Sequence, residues 1–133
     1  MNSKVIIERV EFFSDARGVV VEPVPEALLA PQRNVHVVLT EPGCIRGNHY
    51  HERSTEICLV MGPALVRIRE AGVMWDVRVP EREAVRFTLP PKVSHAIQNV
   101  GAKPILLVSF NTLPHDRANP DTVRDVLIEA PGQ

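Results

Sequence analysis

The sequence predicts a single all-β domain, built as a sandwich or barrel of short strands. The chain has 133 residues, the size of one ordinary domain, and 44% of them are apolar, enough for one core. Twelve prolines and seven glycines divide it into short segments that suit helices poorly. The segments between them are rich in Val, Ile and Leu, which are typical of strands.

The positions of these prolines and glycines predict where each strand begins and ends. Turn signals such as Gly62-Pro63, Ala71-Gly72 and Pro90-Pro91 separate the apolar runs. Trp75 and Val77 alternate with Asp76 and Arg78, the period of two of a half-buried strand. We predict strands at 4–13, 17–22, 34–41, 56–61, 64–70, 73–79, 84–89, 94–100 and 104–111, with one short helical turn at 25–29.

The domain organisation is predicted as one unit over residues 1–133. The core spans about residues 4–111. From residue 112 to residue 133 the chain is polar and contains prolines, so we predict an extended C-terminal arm that covers a sheet edge.

Composition excludes several classes of partner. Lys plus Arg is 15 and Asp plus Glu is 16, so no broad basic face for nucleic acid or a membrane surface is expected. No apolar run approaches the ~20 residues that span a bilayer, and the first residues lack the features of a signal peptide. Cys44 and Cys58 do not form a disulfide framework, so a reducing, cytoplasmic setting is expected.

Three histidines and one glutamate carry the strongest functional signal. His49 and His51 are two residues apart, so on a strand they share a face. Glu56 opens the next strand after a polar turn, and His95 opens a distant one after Pro90-Pro91. Taken singly, each of the three histidines would be interpreted as a surface residue near a loop. Their joint spacing predicts one divalent metal ion, zinc first, with iron, manganese or nickel as alternatives.

The same residues resemble the two motifs of the cupin family. The matching positions of the first motif are Gly43, His49, His51, Glu56 and Gly62, and those of the second are Pro90, His95 and Asn99. Lys92 stands where the second motif usually has glycine, which requires either a turn without positive φ or a strained one. The resemblance implies a double-stranded β-helix, the RmlC-like jelly-roll barrel.

A segment near the start resembles dTDP-4-dehydrorhamnose 3,5-epimerases. The stretch from Asp15 to Glu22 is similar to their Asp-x-Arg-Gly-x-Phe-x-Glu pattern, with Val20 in place of the aromatic residue. The resemblance implies that Arg17 and Glu22 hold a nucleotide sugar, often across a dimer interface. The competing interpretation is a simple turn, with Asp15 as its cap and Gly18 in an unusual backbone conformation.

The segment Arg46-Gly-Asn-His-Tyr-His51 resembles the metal-binding cupin domain of capsular polysaccharide epimerase/reductases. That resemblance implies epimerisation of a nucleotide sugar, such as a UDP-sugar, in polysaccharide synthesis. Any reductase step is expected to come from another chain. Those domains usually carry Gly-Tyr where this chain has Lys92-Val93, so a tyrosine proton donor is missing. Tyr50 alternates away from the predicted metal face.

Epimerisation beside a ketone needs a base, and this role is open between a hydroxide on the ion and a histidine outside the four ligands. His36 is the candidate, although a packed strand histidine would give the same pattern. Arg46 and Asn48 flank the ligands and either contact substrate or shape the turn.

Three functions are therefore carried forward: a sugar-nucleotide epimerase or isomerase, an iron-dependent dioxygenase, and a non-catalytic sugar- or effector-binding cupin. A homodimer is expected, because exposed strand edges need cover.

Overall fold

Two antiparallel five-stranded sheets pack face to face in the computed structural model, which describes residues 2–130. The elements are β1 Ile6–Val10, β2 Phe13–Asp15, β3 Gly18–Val20, α1 Glu26–Leu29, β4 Asn34–Thr40, β5 Ile45–His51, β6 Glu56–Met61, β7 Ala64–Glu70, β8 Val73–Val79, β9 Ala84–Leu89, β10 Ser94–Asn99, β11 Ile105–Asn111 and β12 Thr122–Arg124.

The strand order identifies a jelly roll. The first sheet runs β1-β9-β6-β11-β4 and the second runs β12-β5-β10-β7-β8. From β4 to β7 the chain changes sheet at every strand, and it does so again from β8 to β11. This winding confirms the predicted all-β double-stranded β-helix.

The predicted strands differ from the observed ones near the start and in the C-terminal arm, where no strand is predicted and β12 forms. The first prediction, 4–13, contains β1 and the beginning of β2, and β2 and β3 form a separate two-stranded hairpin. β5 carries His49 and His51, which are expected on a strand whose bounds are not predicted.

The core lies between the two sheets. It is filled from both sides by buried apolar side chains such as Val60, Ile68, Phe87 and Leu107. A second apolar cluster covers the outside of the first sheet, where Phe12, Val21, Val24 and Leu28 pack over strands β6, β9 and β11. The N-terminal segment therefore shields most of this outer face.

The C-terminal segment packs on the second sheet. β12 pairs with β5, so that Thr122 faces His51 and Arg124 faces His49 across the strands. Asp121 accepts hydrogen bonds from the backbone N–H groups of Arg53 and Ser54. In the described part of the chain the only helix has four residues, and none is long and apolar enough to cross a membrane.

Candidate functional site

The cluster is assembled by two neighbouring strands of the second sheet and one strand of the first. His49 and His51 lie on β5, His95 on β10 and Glu56 at the start of β6. β5 pairs with β10 so that His49 faces His95, with a register shift between His95 and Ala96. The shift occurs beside Gly47 (φ +85°), whose backbone lies close against β10. A Cβ at Gly47 would be only 2.7 Å from the His95 carbonyl oxygen.

One carboxylate oxygen forms the centre of the cluster. Glu56 Oε1 lies 2.7 Å from His51 Nε2, 3.3 Å from His95 Nε2 and 3.9 Å from His49 Nε2. One ligand atom from each of the four residues lies within 4.8 Å of all the others. The structure thus brings together the four residues that the sequence analysis selected.

Charge couples the buried pair at the back of the cluster. Burial alone would raise the pKa of the Glu56 carboxyl, but the facing His95 and the hydrogen bond from His51 hold that pKa well below its usual range. Burial would lower the pKa of His95, and the Glu56 carboxylate raises it instead. Glu56 is therefore an anion under ordinary conditions, ready to compensate a positive charge.

The donor set fits a divalent cation. His95 is 1% exposed, and its Nδ1 donates to the Val93 carbonyl oxygen, which leaves Nε2 as the free nitrogen. This Nε2 is buried and has no hydrogen bond of good geometry, although Glu56 Oε1 is near. A buried polar atom without a hydrogen-bond partner is costly, and a cation held by three imidazoles and a carboxylate would satisfy it.

Ser109, which is not among the residues selected from the sequence, contacts the cluster from behind. Its hydroxyl lies 3.3 Å from Glu56 Oε2 and 3.3 Å from Cys58 Sγ. Burial raises the pKa of the Cys58 thiol, so this group is a neutral neighbour. Ser109 is the one polar residue before the end of the apolar strand β11. That pattern is a signal that could have identified it.

The cluster opens into a cavity of about 250 Å³ between the sheets. One part of its wall is apolar and contains Val38, Ile97 and Leu107. Another part is polar and is formed by His36, Arg46, Ser109, Asn111 and Thr122. The cavity therefore presents hydrogen-bonding groups near the cluster and an apolar wall beside them, as small-molecule sites commonly do.

His36 and Arg46 both line this cavity. His36 lies on β4, directly opposite Ser109 in the strand register. Its ring is oriented edge-on to the ring of His115, with 6.3 Å between the two ring centroids. Arg46 links β5 to β4, because its guanidinium donates to Thr40 Oγ1 and to the Leu39 carbonyl oxygen.

Asn48 serves a structural contact. Its Oδ1 accepts hydrogen bonds from the backbone N–H groups of Leu127 and Ile128, and its Nδ2 donates to the Ile128 carbonyl oxygen. The residue has φ +56° and is not part of the cavity wall. These contacts favour the shaping role of the two roles that the sequence analysis left open.

Arg17 and Glu22 lie elsewhere. Arg17 binds Asp15 within the β2–β3 hairpin, where Gly18 has φ +130°, and neither Arg17 nor Glu22 lines the cavity. Hydrogen bonds from Arg17 hold the pKa of the Asp15 carboxyl below its usual range. Within one chain, the hairpin therefore has the geometry of a turn.

The two departures from the cupin pattern have separate structural outcomes. Lys92 has φ +66°, so it adopts the strained turn that glycine would adopt freely, and its N–H donates to the His51 carbonyl oxygen. Val93 is 4% exposed and packs in the core. Tyr50, the only tyrosine in the sequence, is not part of the cavity wall.

Comparison with known proteins identifies the family. Residues 13–123 match the family described as the polysaccharide biosynthesis C-terminal domain. The chain is 31% identical over 116 residues to UDP-2-acetamido-2,6-beta-L-arabino-hexul-4-ose reductase of Pseudomonas aeruginosa. That alignment covers 85% of this chain but only 30% of the Pseudomonas protein.

Solved structures agree on the fold. The capsular polysaccharide assembling protein CapF of Staphylococcus aureus superposes with a TM-score of 0.66 at 24% identity, over 89% of this chain and 33% of CapF. A mutant of the 3,4-ketoisomerase QdtA of Thermoanaerobacterium thermosaccharolyticum, solved with TDP-4-keto-6-deoxyglucose, gives 0.70 at 16% identity, over 94% and 90% of the chains. These neighbours are RmlC-like cupins, as the sequence motifs implied.

Proposed function

Because the chain belongs to the polysaccharide biosynthesis C-terminal domain family, we propose that it is a metal-binding cupin that epimerises or isomerises a nucleotide sugar beside a keto group. The observation that carries the proposal is a single cavity lined by His36 and by the cluster of His49, His51, Glu56 and His95. His36 lies on β4, a strand that contributes no residue to the cluster. The cavity thus combines a free imidazole with a group of ligands suited to a cation.

The shape of the cavity supports a keto-deoxy sugar. The apolar wall of Val38, Ile97 and Leu107 matches a methyl group better than a hydroxymethyl group, since a hydroxyl there would lose its hydrogen bonds to water. Asn111 and Thr122 offer hydrogen-bonding groups for sugar hydroxyls. The QdtA complex contains such a 4-keto-6-deoxy sugar, and the name of the Pseudomonas relative describes a UDP-linked hexul-4-ose.

Proton transfer is the part of the reaction that the chain's own side chains would perform. Enolisation requires a base for the proton on the carbon beside the keto group and stabilisation of the enolate oxygen. A divalent ion on His49, His51, Glu56 and His95 would stabilise that oxygen as a Lewis acid. His36 would accept the proton at a ring nitrogen. Protonation of the same carbon on its other face, by an acid on that side, gives epimerisation. Protonation of the former keto carbon, with the proton of the neighbouring hydroxyl passing to the former keto oxygen, gives ketoisomerisation.

A second candidate function is sugar binding without turnover. It is favoured by Val93, which is buried where related domains carry a tyrosine, and by the absence of any tyrosine from the cavity wall. The third candidate is an iron-dependent dioxygenase, since three imidazoles and a carboxylate also suit oxygen chemistry. A cytoplasmic location and a homodimer are part of the proposal.

Turnover with defined substrates separates these candidates. Protein loaded with zinc, manganese or ferrous iron would be incubated with UDP- and dTDP-linked 4-keto-6-deoxy hexoses, and the sugar products resolved by NMR. A new epimer or keto isomer supports the proposal. Binding without a product supports the sugar-binding function, and consumption of oxygen with ferrous iron supports the dioxygenase.

Ser109→Ala is expected to weaken ion binding while leaving the fold intact. The hydroxyl orients Glu56 through Oε2, so its loss frees the carboxylate to rotate away from the histidines. Loss of such an orienting contact typically weakens metal binding by about 10- to 100-fold. Zinc affinity measured by competition with a chromophoric chelator tests this, with Ser14→Ala on the exposed hairpin as the control. An unchanged affinity in Ser109→Ala would exclude an orienting role.

A further inference from the structure

The polar turn 52–55 joins two of the four clustered residues. His51 ends β5 in the second sheet and Glu56 begins β6 in the first, so this turn carries the chain from one sheet to the other. A shift of the turn would change the distance between His51 Nε2 and Glu56 Oε1, which are 2.7 Å apart. The contacts that hold the turn in place therefore also set the geometry of the cluster.

The loop between β11 and β12 begins and ends on this turn. At its start, Thr112 accepts a hydrogen bond at Oγ1 from the Thr55 N–H, and its own N–H donates to Ser54 Oγ. At its end, the Asp121 carboxylate accepts hydrogen bonds from the N–H groups of Arg53 and Ser54, at 3.0 Å and 2.8 Å. Both ends of the loop thus hold the backbone that connects His51 to Glu56.

Asp121 binds the turn through its backbone as well as its side chain. Its carbonyl oxygen accepts a hydrogen bond from the Glu52 N–H at 2.9 Å. Its Oδ1 also accepts one from Arg53 Nε, and the side chain is only 14% exposed. The next residue, Thr122, begins the pairing of β12 with β5. The carboxylate is therefore fixed in one orientation beside the end of β5.

His51 presents its second ring nitrogen to this segment. Its Nε2 lies at Glu56, whereas its Nδ1 lies 3.5 Å from Thr122 Oγ1 and 4.0 Å from Asp121 Oδ2. An imidazole that binds an ion through Nε2 carries its proton on Nδ1, where an acceptor fixes the tautomer and the orientation of the ring. Thr122 and Asp121 provide oxygen atoms for that proton.

The chain continues from β12 to the other two histidine positions. Asp125 accepts a hydrogen bond from the hydroxyl of Ser94, the residue before His95. Its N–H donates at 2.8 Å to the carbonyl oxygen of Asn48, the residue before His49. The segment 121–128 therefore contacts a direct neighbour of each of these histidines.

We propose that Asp121 is a positioning residue for the ion, and that the segment 121–128 and the ion hold each other in place. Asp121 fixes the turn between His51 and Glu56 and, with Thr122, orients the His51 ring. Because coupling between two binding events is reciprocal, an ion on the four ligands strengthens the docking of the segment by the same factor. This inference rests on the proposed ion site and requires no turnover.

Ion affinity in Asp121→Asn tests the positioning role. Asparagine has a similar shape but one acceptor oxygen instead of two and no charge, so zinc affinity in a chelator competition is expected to fall by about 10- to 100-fold. Asp116→Asn is the matched control, because Asp116 is exposed in the same loop and accepts a hydrogen bond from the nearby Ala118 N–H. Circular dichroism and thermal melting of the metal-free proteins check that both variants fold.

The absorption spectrum of the cobalt(II)-loaded protein is a readout that a merely structural role would leave unchanged. The spectrum depends on the geometry of the ligands around the ion, so it is expected to change in Asp121→Asn and to stay the same in Asp116→Asn. Unchanged zinc affinity and spectrum in Asp121→Asn would overturn the positioning role and leave the ion site standing. Failure of the unmodified chain to bind zinc would refute the ion site and this inference together.

Amide hydrogen exchange of the unmodified chain tests the reciprocal effect. Zinc is expected to slow exchange at the N–H groups of Asp125, Leu127 and Ile128 by about 5- to 150-fold. The slowing should be smaller at β8, the opposite edge strand of the same sheet. Equal slowing at both edges would indicate general stabilisation and would overturn the coupling. This measurement decides alone if Asp121→Asn fails to fold.

Discussion

Replacing His95 with alanine is expected to abolish stoichiometric binding of a divalent ion. His95 contributes the buried, hydrogen-bond-free Nε2 at 3.3 Å from Glu56 Oε1, so its loss removes one of three imidazole donors. Loss of an outer contact already costs about 10- to 100-fold in metal affinity, and loss of a ligand itself should cost at least the upper end of that range. Metal analysis after dialysis and a chelator competition titration would measure the change.

The matched control is His36→Ala. His36 lines the same cavity but is not among the four clustered residues, so ion affinity should stay within about threefold of the original value. His95→Gln keeps more of the buried volume than alanine and shows whether any loss comes from misfolding. Equal loss in His36→Ala and His95→Ala, or full binding in both His95 variants, would contradict the assignment of the ligands.

Replacing Gly47 with alanine is expected to destabilise the protein by roughly 2–5 kcal/mol. A positive φ costs a residue with a Cβ about 1–2 kcal/mol, and forcing extra volume into a packed site costs about 1–3 kcal/mol. Both apply to Gly47, which has φ +85° and whose added Cβ would lie 2.7 Å from the His95 carbonyl oxygen. Because β10 would have to shift to make room, the distance between His49 and His95 should change as well. The free energy of unfolding in urea, together with ion affinity, checks both effects.

Gly72→Ala separates the two causes. Gly72 has φ +78°, close to that of Gly47, but an added Cβ there meets no atom within 4 Å. It should therefore cost only about 1–2 kcal/mol and leave ion affinity unchanged. If the two alanine variants lose equal stability, the close approach of Gly47 to β10 has no energetic importance and the account of this register shift is wrong.

The fold and the cluster were predictable because their signals are local. Alternation in β8 and the prolines between strands indicate the sheets directly, and His49 and His51 share a face wherever their strand lies. Glu56 opens the next strand after a short turn, although that strand lies in the other sheet. His95 was selected from its place at the start of a strand after Pro90-Pro91 and from the second motif, although its pairing with His49 joins residues 46 positions apart in the chain.

The surroundings of the cluster were not predictable in the same way. Whether Asn48 binds substrate or shapes the chain depends on Leu127 and Ile128, which lie some eighty residues later. Ser109 reaches Glu56 only because β11 pairs with β6, a consequence of the sheet order. The backbone conformation of Lys92 does not follow from its residue type, since the chain keeps the left-handed turn without glycine. Its N–H donates to the His51 carbonyl oxygen, a contact that supports this conformation.

Solvent-deuterium exchange tests the central claim most directly. Protein loaded with a divalent ion would be incubated in D₂O with a 4-keto-6-deoxy nucleotide sugar, and NMR would follow the protons on the carbons beside the keto group. The account predicts that deuterium enters at one of these carbons, faster than in buffer alone, and that His36→Gln and His95→Gln each suppress the exchange. A nucleotide sugar that binds without any exchange, or exchange that is unaffected by both substitutions, would contradict enolisation in this cavity.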